Sequence, residues 1–346
     1  MRIAIVNDVL IAVEAVRRAI TQGSSHKVAW IARDGEEAVA RCAADTPDLV
    51  LMDLIMPRVD GVEATRRIMA SNPCPVVVVT ASVTDNSSRV FEAMGAGALD
   101  AVNTPVLDDK GTAEGGQALM QKIETIRRLI GAPAESRLGA VAPRAGDVKQ
   151  SGLQPLIAIG ASAGGPSALA RVLSQLPADF AAPIVVIQHV DAQFANGLVN
   201  WLGYQTRLRI RLAQEGDRPV PGTVLLAGSD EHLVFTSGGY FRYDTDPAAC
   251  SYRPSIDVLF KSLEENWPGD VIAVLLTGMG RDGAEGLRLL REAGHHTIAQ
   301  DRHSSAVYGM PKAALELEAA TEVLSLEQIG PRLLELTRSR VGARYD

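Results

Sequence analysis

The chain has 346 residues, 47% of them apolar and 22% charged, a composition typical of globular proteins and a length that suits two domains. Its formal net charge of −7 argues against a general binder of nucleic acid or of anionic membranes, since both partners require a positive protein surface. The three cysteines lie far apart, without zinc or disulfide spacing, and no stretch approaches about twenty uninterrupted apolar residues, so we expect a cytoplasmic protein without membrane insertion.

The first 130 residues alternate short β-branched runs with amphipathic segments. The runs predicted as strands are RIAIVN, VAWIAR, DLVLMD, PVVVVT and ALDAV, and segments such as GVEATRRIMA and SSRVFEAMGAG are predicted as helices. Strands and helices in alternation indicate a parallel sheet covered on both faces by helices. The almost continuous apolar runs DLVLMD and PVVVVT fit strands that are buried on both sides.

Three polar residues follow predicted strands of this first unit. Asp8 comes just after the first strand, Asp53 ends the third and Thr80 ends the fourth. The carboxyl ends of parallel strands meet at one edge of the sheet, where such sheets carry their function. Two carboxylates at that edge can hold a hard octahedral cation such as Mg²⁺, with water and a phosphate completing its shell. One of the two carboxylates can then accept a phosphoryl group.

Residues 1–130 resemble the receiver domain of two-component response regulators, most clearly in the segment VLMDLIMPRVDG. The resemblance implies a flavodoxin-like fold and phosphorylation of Asp53 by a CheA-like histidine kinase. It also implies Mg²⁺ as the cofactor, held by Asp8, Asp53 and the backbone carbonyl of Ile55. Thr80 matches the hydroxyl residue that contacts the phosphoryl group.

Two departures from the receiver pattern concern charge. The pair of acids expected after the first strand is Asn7 and Asp8 here, and the lysine expected before Pro105 is Thr104. One acid and one lysine are lost together, so the formal charge of the pocket is unchanged. The aromatic switch position is Ala101. We therefore expect Asp53 to accept phosphate with weaker conformational coupling than usual.

Residues 131–154 are rich in Gly, Ala and Pro and have no helical or strand period, which is typical of a flexible linker. A second α/β unit, residues 155–346, begins with LIAIG and continues with PIVVIQH, TVLLAG and VIAVLLTG. The segment HLVFTSGGYFRYD predicts an antiparallel hairpin. We expect a doubly wound α/β domain with a mainly parallel sheet and this hairpin.

Ser162 lies in the segment IAIGASAGGPSA, in a G-x-S-x-G turn between a predicted strand and a predicted helix. The motif alone fits either a serine nucleophile or a glycine-rich loop that cradles a phosphate. His189 ends the next apolar run, and Asp282 follows the run VIAVLLTG. Three strand ends of one parallel sheet can bring a hydroxyl, an imidazole and a carboxylate together as a catalytic triad. Taken singly, Asp282 also fits a helix cap, and His189 an ordinary strand-end histidine.

An oxyanion formed at Ser162 needs hydrogen-bond donors. The backbone N–H groups of Met279, within TGMG, and of Ala163, directly after the serine, are the candidates because glycine-lined turns leave amides free. The small side chain of Ala163 leaves room for an approaching ester.

Five segments together resemble the catalytic domain of the chemotaxis protein-glutamate methylesterases, the CheB family. They are, in the family's order, GASAGGPSAL, QHV, RPSIDVLF, TGMGRDGAEG and YGMPKAAL. The resemblance implies Ser162 as the nucleophile, His189 as the general base and Asp282 as the acid that orients it. It also implies that the backbone amide of Met279 donates a hydrogen bond to the oxyanion, and that the esterase reaction needs no cofactor. The start at Asn7 resembles the Wsp-type branch of the family, which serves surface sensing.

The implied substrate is the γ-glutamyl methyl ester on the cytoplasmic domain of a methyl-accepting chemoreceptor. The same chemistry would accept a glutamine amide, which gives a deamidase activity. The implied regulation is that the unphosphorylated receiver covers the strand-end face and that phosphorylation of Asp53 shifts the population toward an open form.

Three alternatives remain open. The α/β-hydrolases have the chain order Ser, acid, His, which requires His295, His296 or His303 as the base here. A nucleotide-binding module would place a pyrophosphate at GASAGG, but it needs an acid at the end of the second strand, where Gln188 and His189 stand. The third alternative is a catalytically weak protein that only docks to a receptor or a kinase.

Overall fold

Two structural units follow one another along the chain, residues 1–135 and residues 136–346. The computed structural model describes residues 1–21, 25–83, 85–107, 113–130, 154–247 and 252–342. The boundary between the units falls within the predicted linker, 131–154, of which residues 131–153 lie outside the described residues. The linker and the domain limits therefore stay predictions. None of the described helices is long and apolar enough to span a membrane.

The N-terminal unit contains a five-stranded parallel sheet with helices between its strands. Its strands are β1 (Arg2–Val6), β2 (Lys27–Ala32), β3 (Leu49–Met52), β4 (Val76–Thr80) and β5 (Asp100–Asn103), followed by the short pair β6 (Val106–Leu107) and β7 (Ala113–Glu114). Its helices are α1 (Leu10–Thr21), α2 (Gly35–Ala44), α3 (Gly61–Ser71), α4 (Ser87–Gly95) and α5 (Gly116–Ile130). The strand order β2-β1-β3-β4-β5 is that of flavodoxin-like sheets, which confirms the prediction.

The strands of this sheet lie where the apolar runs predict them. All four residues of β3 and all five of β4 are buried, as expected for strands with helices on both faces. Two helices start at aspartates, because Asp34 and Asp60 each accept a hydrogen bond from the amide three residues on. Because the strands are parallel, the polar residues that follow them lie at one edge of the sheet.

The C-terminal unit contains a seven-stranded parallel sheet of order β10-β11-β9-β8-β14-β15-β16. Its strands are β8 (Leu156–Ala161), β9 (Ile184–Gln188), β10 (Arg209–Leu212), β11 (Thr223–Leu226), β12 (His232–Phe235), β13 (Phe241–Asp244), β14 (Val271–Leu275), β15 (His296–Gln300) and β16 (Glu322–Leu324). Its helices are α6 (Gly165–Ser174), α7 (Ala192–Gln205), α8 (Ile256–Asn266), α9 (Ala284–Glu292), α10 (Met310–Glu316) and α11 (Leu326–Gly342). The predicted doubly wound α/β architecture is thus confirmed.

The predicted antiparallel hairpin is β12 and β13, which pair with each other and form a separate two-stranded sheet. Phe235 and Phe241 from the hairpin are buried in the same apolar core as Phe260 of α8. The amide of Phe235 donates a hydrogen bond to Ser262 Oγ of α8 (2.9 Å). The hairpin therefore packs on a helix, and the large sheet stays parallel.

The middle of the seven-stranded sheet positions the candidate site. Strand β8 lies between β9 and β14, with Ala161 paired to Gln188 on one side and Gly160 paired to Leu275 on the other. The three strands run parallel, so their carboxyl ends reach the same edge of the sheet. Residues that directly follow these strands are brought together although they are distant in sequence.

Candidate active site

Asp53 lies directly after β3 at the carboxyl edge of the N-terminal sheet and is 9% exposed. Its Oδ2 accepts a hydrogen bond from Asn7 Nδ2 (3.1 Å), and its Oδ1 accepts one from the amide of Leu54 (2.7 Å). Burial raises the pKa of Asp53 to about 6; the amides that follow it oppose this rise, and the charge of Asp8 adds to it. Asp8 and Ile55 beside it are exposed, whereas the Asp53 carboxylate is largely buried.

Thr80, the last residue of β4, is 1% exposed, and its Oγ1 accepts a hydrogen bond from Asn86 Nδ2 (3.2 Å). The backbone carbonyl of Thr80 accepts a hydrogen bond from the amide of Thr104 (2.8 Å), the residue that stands in the expected lysine position. Asn86 was not singled out from the sequence, because it lies in the loop before α4 and has no motif of its own.

Ser162 lies on the turn between β8 and α6, where the sequence predicts it. Its amide donates to the carbonyl of Thr277 (3.0 Å), and its own carbonyl accepts a hydrogen bond from Gln188 Nε2 (2.9 Å). A Cβ added at Gly278 would lie 2.8 Å from Ser162 Cβ, so only glycine allows the turn after β14 to approach the serine this closely. The serine turn is therefore tied to the ends of both neighbouring strands.

His189 directly follows β9, and Asp282 lies between β14 and α9. His189 Nε2 and Asp282 Oδ2 are 2.8 Å apart, and the two side chains are 9% and 7% exposed. A carboxylate at this distance fixes the tautomer and the orientation of an imidazole and stabilises the imidazolium form. The predicted base and the predicted orienting acid are thus in direct contact.

The Asp282 carboxylate is surrounded by donors from the N-terminus of α8. Its Oδ1 accepts hydrogen bonds from Ser255 Oγ (2.7 Å) and the amide of Asp257 (3.2 Å), and its Oδ2 accepts one from the amide of Ile256 (2.7 Å). Burial disfavours the charged carboxylate, yet His189 and these donors together hold the pKa of Asp282 below its usual value. The carboxylate therefore stays ionised at neutral pH, as an orienting acid must.

Ser162 and His189 lie at adjacent strand ends, one residue beyond the paired residues Ala161 and Gln188. Because His189 Nε2 is bonded to Asp282, Nδ1 is the nitrogen left to take a proton, and it is buried without a hydrogen-bond partner. Within the described part of the chain, no hydrogen bond joins it to Ser162 Oγ. Such bonds are often long in an enzyme without substrate and tighten when the substrate binds.

The amides of Ala163 and Met279, the predicted oxyanion donors, donate to no carbonyl of another described residue. The amide next to Met279, that of Gly278, is instead used by the fold and donates to the carbonyl of Val307 (3.0 Å). The turn that contains Ser162 and the turn after β14 therefore each retain a backbone N–H donor that a developing oxyanion can use.

Two further residues belong to this site and were not predicted as site residues. The ring of Tyr252 stacks on the ring of His189, with centroids 4.4 Å apart and planes 1° apart. Ser255 is the N-cap of α8 and also donates to Asp282. A serine before an apolar helical run is a recognisable cap signal. The stacking of Tyr252 has no sequence signal, because it depends on two segments meeting in space.

The three histidines that would restore the α/β-hydrolase order lie elsewhere. His295 Nδ1 accepts a hydrogen bond from the first amide of β14 (3.2 Å), and His296 Nε2 is 3.1 Å from Glu322 Oε1. His303 is exposed in the loop before α10. The carboxylate of Asp282 is already bonded to the histidine that follows β9, so this alternative finds no support.

The family described as CheB methylesterase matches residues 157–333, and the family described as response regulator receiver domain matches residues 3–114. The chain is 58% identical over 339 residues to protein-glutamate methylesterase/protein-glutamine glutaminase 2 of Burkholderia orbicola, which covers 98% of this chain and 100% of that protein. It is 53% identical over 337 residues to a protein of the same name, numbered 3, from Pseudomonas aeruginosa, with 97% and 99% covered. The solved catalytic domain of the Thermotoga maritima CheB methylesterase is 35% identical, with a TM-score of 0.51 over 53% of this chain and 99% of that domain.

Proposed function

This chain belongs to the CheB methylesterase family, and on that premise we propose that it hydrolyses glutamate methyl esters of chemoreceptors with Ser162, His189 and Asp282 as its catalytic residues. Its relatives are named for two activities, ester hydrolysis at glutamate and amide hydrolysis at glutamine, and the chain spans almost their whole length. The observation that carries the proposal is the 2.8 Å contact between His189 and Asp282, beside the turn that holds Ser162.

In the proposed reaction, Ser162 Oγ attacks the ester carbonyl while His189 Nδ1 takes the hydroxyl proton. Asp282 stabilises the resulting imidazolium through Nε2. The tetrahedral intermediate then collapses, and methanol leaves with the proton from His189. A water molecule, activated by the same imidazole, hydrolyses the acyl-enzyme and releases glutamate. A glutamine side chain follows the same path with ammonia as the leaving group.

The negative oxygen of the tetrahedral intermediate would bind the amides of Met279 and Ala163. Both amides are free of carbonyl partners among the described residues, so no bond of the fold has to break before they act. Removal of one such donor typically costs about 2.7 to 4 kcal/mol of transition-state stabilisation. A preformed pair of donors is therefore a large part of what this site would contribute to the rate.

The proposal is tested by methanol release from methylated receptor membranes with wild type and Ser162→Ala. Wild type should release methanol, and Ser162→Ala should remain at background. Ser167→Ala is the matched control, because Ser167 lies in α6, only five residues beyond the nucleophile, and should retain activity. Equal rates for wild type and Ser162→Ala would reject the serine mechanism. A wild type without any activity would favour the alternative of a docking protein.

The N-terminal unit is a receiver domain, and we propose phosphorylation of Asp53 by a histidine kinase of the CheA type. Asp8, Asp53 and the carbonyl of Ile55 would hold Mg²⁺, since oxygen donors and paired carboxylates are the groups that this cation prefers. When bound, the cation would neutralise charge on the phosphoryl group during transfer. Thr80 Oγ1 would contact the phosphoryl group, in the position that the receiver resemblance gives it.

Phosphorylation is tested on a phosphate-affinity gel after incubation with a phosphorylated cognate kinase and Mg²⁺. Wild type should shift, Asp53→Ala should not, and Asp85→Ala, which changes an exposed acid in the loop before α4, should shift like wild type. Chelation of Mg²⁺ with EDTA should remove the shift of wild type. An identical shift for wild type and Asp53→Ala would contradict this assignment.

A further inference from the structure

The imidazole of His189 contacts the Asp282 carboxylate at its edge and the ring of Tyr252 on its face. The carboxylate fixes the position of Nε2, but one hydrogen bond alone leaves the ring free to rotate about the line from Nε2 to Oδ2. An aromatic ring stacked at 4.4 Å, with planes 1° apart, opposes that rotation. The two contacts together therefore determine where Nδ1 points.

The hydroxyl end of Tyr252 lies close to a second part of the candidate site. A Cβ added at Gly280 would lie 2.8 Å from Tyr252 Oη, which places the phenol hydroxyl against the backbone of the turn that carries Met279. Gly280 has a φ of +85°, a conformation that glycine adopts without strain. One tyrosine thus contacts the candidate base and the turn of a candidate oxyanion donor.

We propose that Tyr252 is a positioning residue for the esterase reaction, whose ring holds the His189 imidazole with Nδ1 toward Ser162 and stabilises the imidazolium that forms during attack. An aromatic face attracts a cation through its quadrupole, so the stack suits the positive charge that develops on the imidazole during attack. Tyr252 exchanges no proton and forms no bond with substrate. This inference rests on the proposed function, in which Ser162 is the nucleophile and His189 is its base.

The ring, and not the hydroxyl, carries this role. Tyr252→Phe keeps the ring and should stay within about twofold of wild type, because the aromatic face is retained. Tyr252→Leu removes the face and should lower kcat about 3- to 30-fold, the range of a cation–aromatic contact that is partly desolvated. KM should change by less than about twofold, since the ring acts after substrate has bound.

A second measurement does not require a receptor. Fluorophosphonate probes label an activated serine, so the labelling rate of Ser162 in the full chain reports the serine–histidine pair alone. Tyr252→Leu should slow labelling by the same factor as kcat, and Tyr252→Phe should restore it. Tyr204→Leu is the matched control, because Tyr204 lies in α7 with 86% of its surface exposed.

Circular dichroism of each variant verifies the fold, and Tyr252→Met replaces Tyr252→Leu if the leucine variant does not fold. The inference is overturned if the folded variants without a ring turn over and label like wild type. It is also overturned if Tyr252→Phe loses as much rate as Tyr252→Leu, because the hydroxyl would then be the active group. A wild type that labels at Ser162 but releases no methanol would reject the proposed substrate and leave the role of Tyr252 to be decided by labelling.

Discussion

Asp282 accepts hydrogen bonds from the proposed catalytic histidine and from a helix terminus with the same two oxygens. It accepts hydrogen bonds from His189, from Ser255 Oγ and from the first amides of α8. The helix that directly follows it, α9, has Gly283 at its N-cap and no side-chain cap. The sequence around Asp282 fits a cap of the helix that follows it, α9. In the structure Asp282 instead accepts hydrogen bonds from the first amides of α8, which precedes it in the chain. His189 and the donors at the positive end of α8 together keep the carboxylate charged and able to orient the imidazole.

Asp282→Asn should lower kcat by about 10⁴, because an amide cannot hold the imidazole in the required tautomer or balance the imidazolium charge. Methanol release measured with saturating substrate tests this expectation. Arg281→Gln is the neighbouring control; Arg281 is exposed and pairs with Glu316, so kcat should remain near that of wild type. A loss of less than about tenfold for Asp282→Asn would contradict its role as the orienting acid.

Sequence spacing predicted Ser162, His189 and Asp282 as site residues, since each directly follows a buried run or its turn, and their catalytic roles stay a prediction. The contact between His189 and Asp282 agrees with that choice. Tyr252 could not be selected, because it precedes its helix in a segment without a period and meets His189 only through the folded chain. Residues that act through stacking leave no spacing pattern, whereas residues at strand ends do.

The helices α8 and α9 cap each other through two acids. Asp282, just before α9, accepts hydrogen bonds from the first amides of α8, and Asp257, in the first turn of α8, accepts one from the amide of Gly286 in α9 (2.7 Å). The two carboxylates are consequently close together. Burial raises the pKa of Asp257 to about 6; the amide of Gly286 opposes the rise, and the charge of Asp282 adds to it.

This raised pKa predicts a pH dependence of stability. The folded chain binds a proton at Asp257 more tightly than the unfolded chain, whose carboxyl has the usual value of 3.8, so the free energy of unfolding should fall as pH rises from about 4 to about 6. The full shift corresponds to at most about 3 kcal/mol. We expect about 1 to 2 kcal/mol, since solvent screens part of the interaction.

Asp257→Asn removes the charge and keeps an oxygen that can accept from Gly286. The variant should be more stable than wild type toward urea at pH 8 and no more stable at pH 4. Glu265→Gln, a change of an exposed acid in the last turn of the same helix, is the control and should match wild type at both values. An unfolding free energy of Asp257→Asn that is equal to wild type at pH 8 would contradict the assigned shift.

At the level of elements, apolar runs predicted all five strands of the first sheet and β8, β9, β11 and β14 of the second, because buried strands need continuous apolar sequence. The strands β10, β15 and β16 were not predicted; β10 and β16 lie at the two edges of the sheet, are only partly buried and have no continuous apolar run. The hairpin β12–β13 was also predicted, but its place against α8 was not. That place depends on Ser262 and the aromatic residues of the hairpin, which contact each other only in the folded unit. Local pattern determines an element, whereas its partner is determined by packing.

Each unit of the whole molecule has an apolar core of its own. The N-terminal core includes Ile3, Leu51 and Ile123, and the C-terminal core includes Phe235, Phe260 and Leu287. Two separate cores fit a regulatory unit and a catalytic unit that fold independently. The resemblance to the CheB family implies that the receiver regulates the esterase, and this regulation stays a prediction.

Deletion of residues 1–130 tests whether the receiver regulates the esterase. The remaining chain should release methanol faster than the unphosphorylated full-length protein, because no receiver would cover the strand-end face. Phosphorylated full-length protein should approach the rate of the shortened chain. Identical rates for the shortened chain and the unphosphorylated full-length protein would exclude occlusion as the means of regulation.

The adjacent positions of β8, β9 and β14 in the large sheet also have a consequence for biosynthesis. The proposed nucleophile and its orienting acid belong to segments that leave the ribosome more than a hundred residues apart, so the site has a high contact order and cannot assemble from any local fragment. A nascent chain would remain without hydrolytic activity until β14 has inserted beside β8. We therefore expect hydrolysis at Ser162 only from a chain that has been synthesised beyond Asp282.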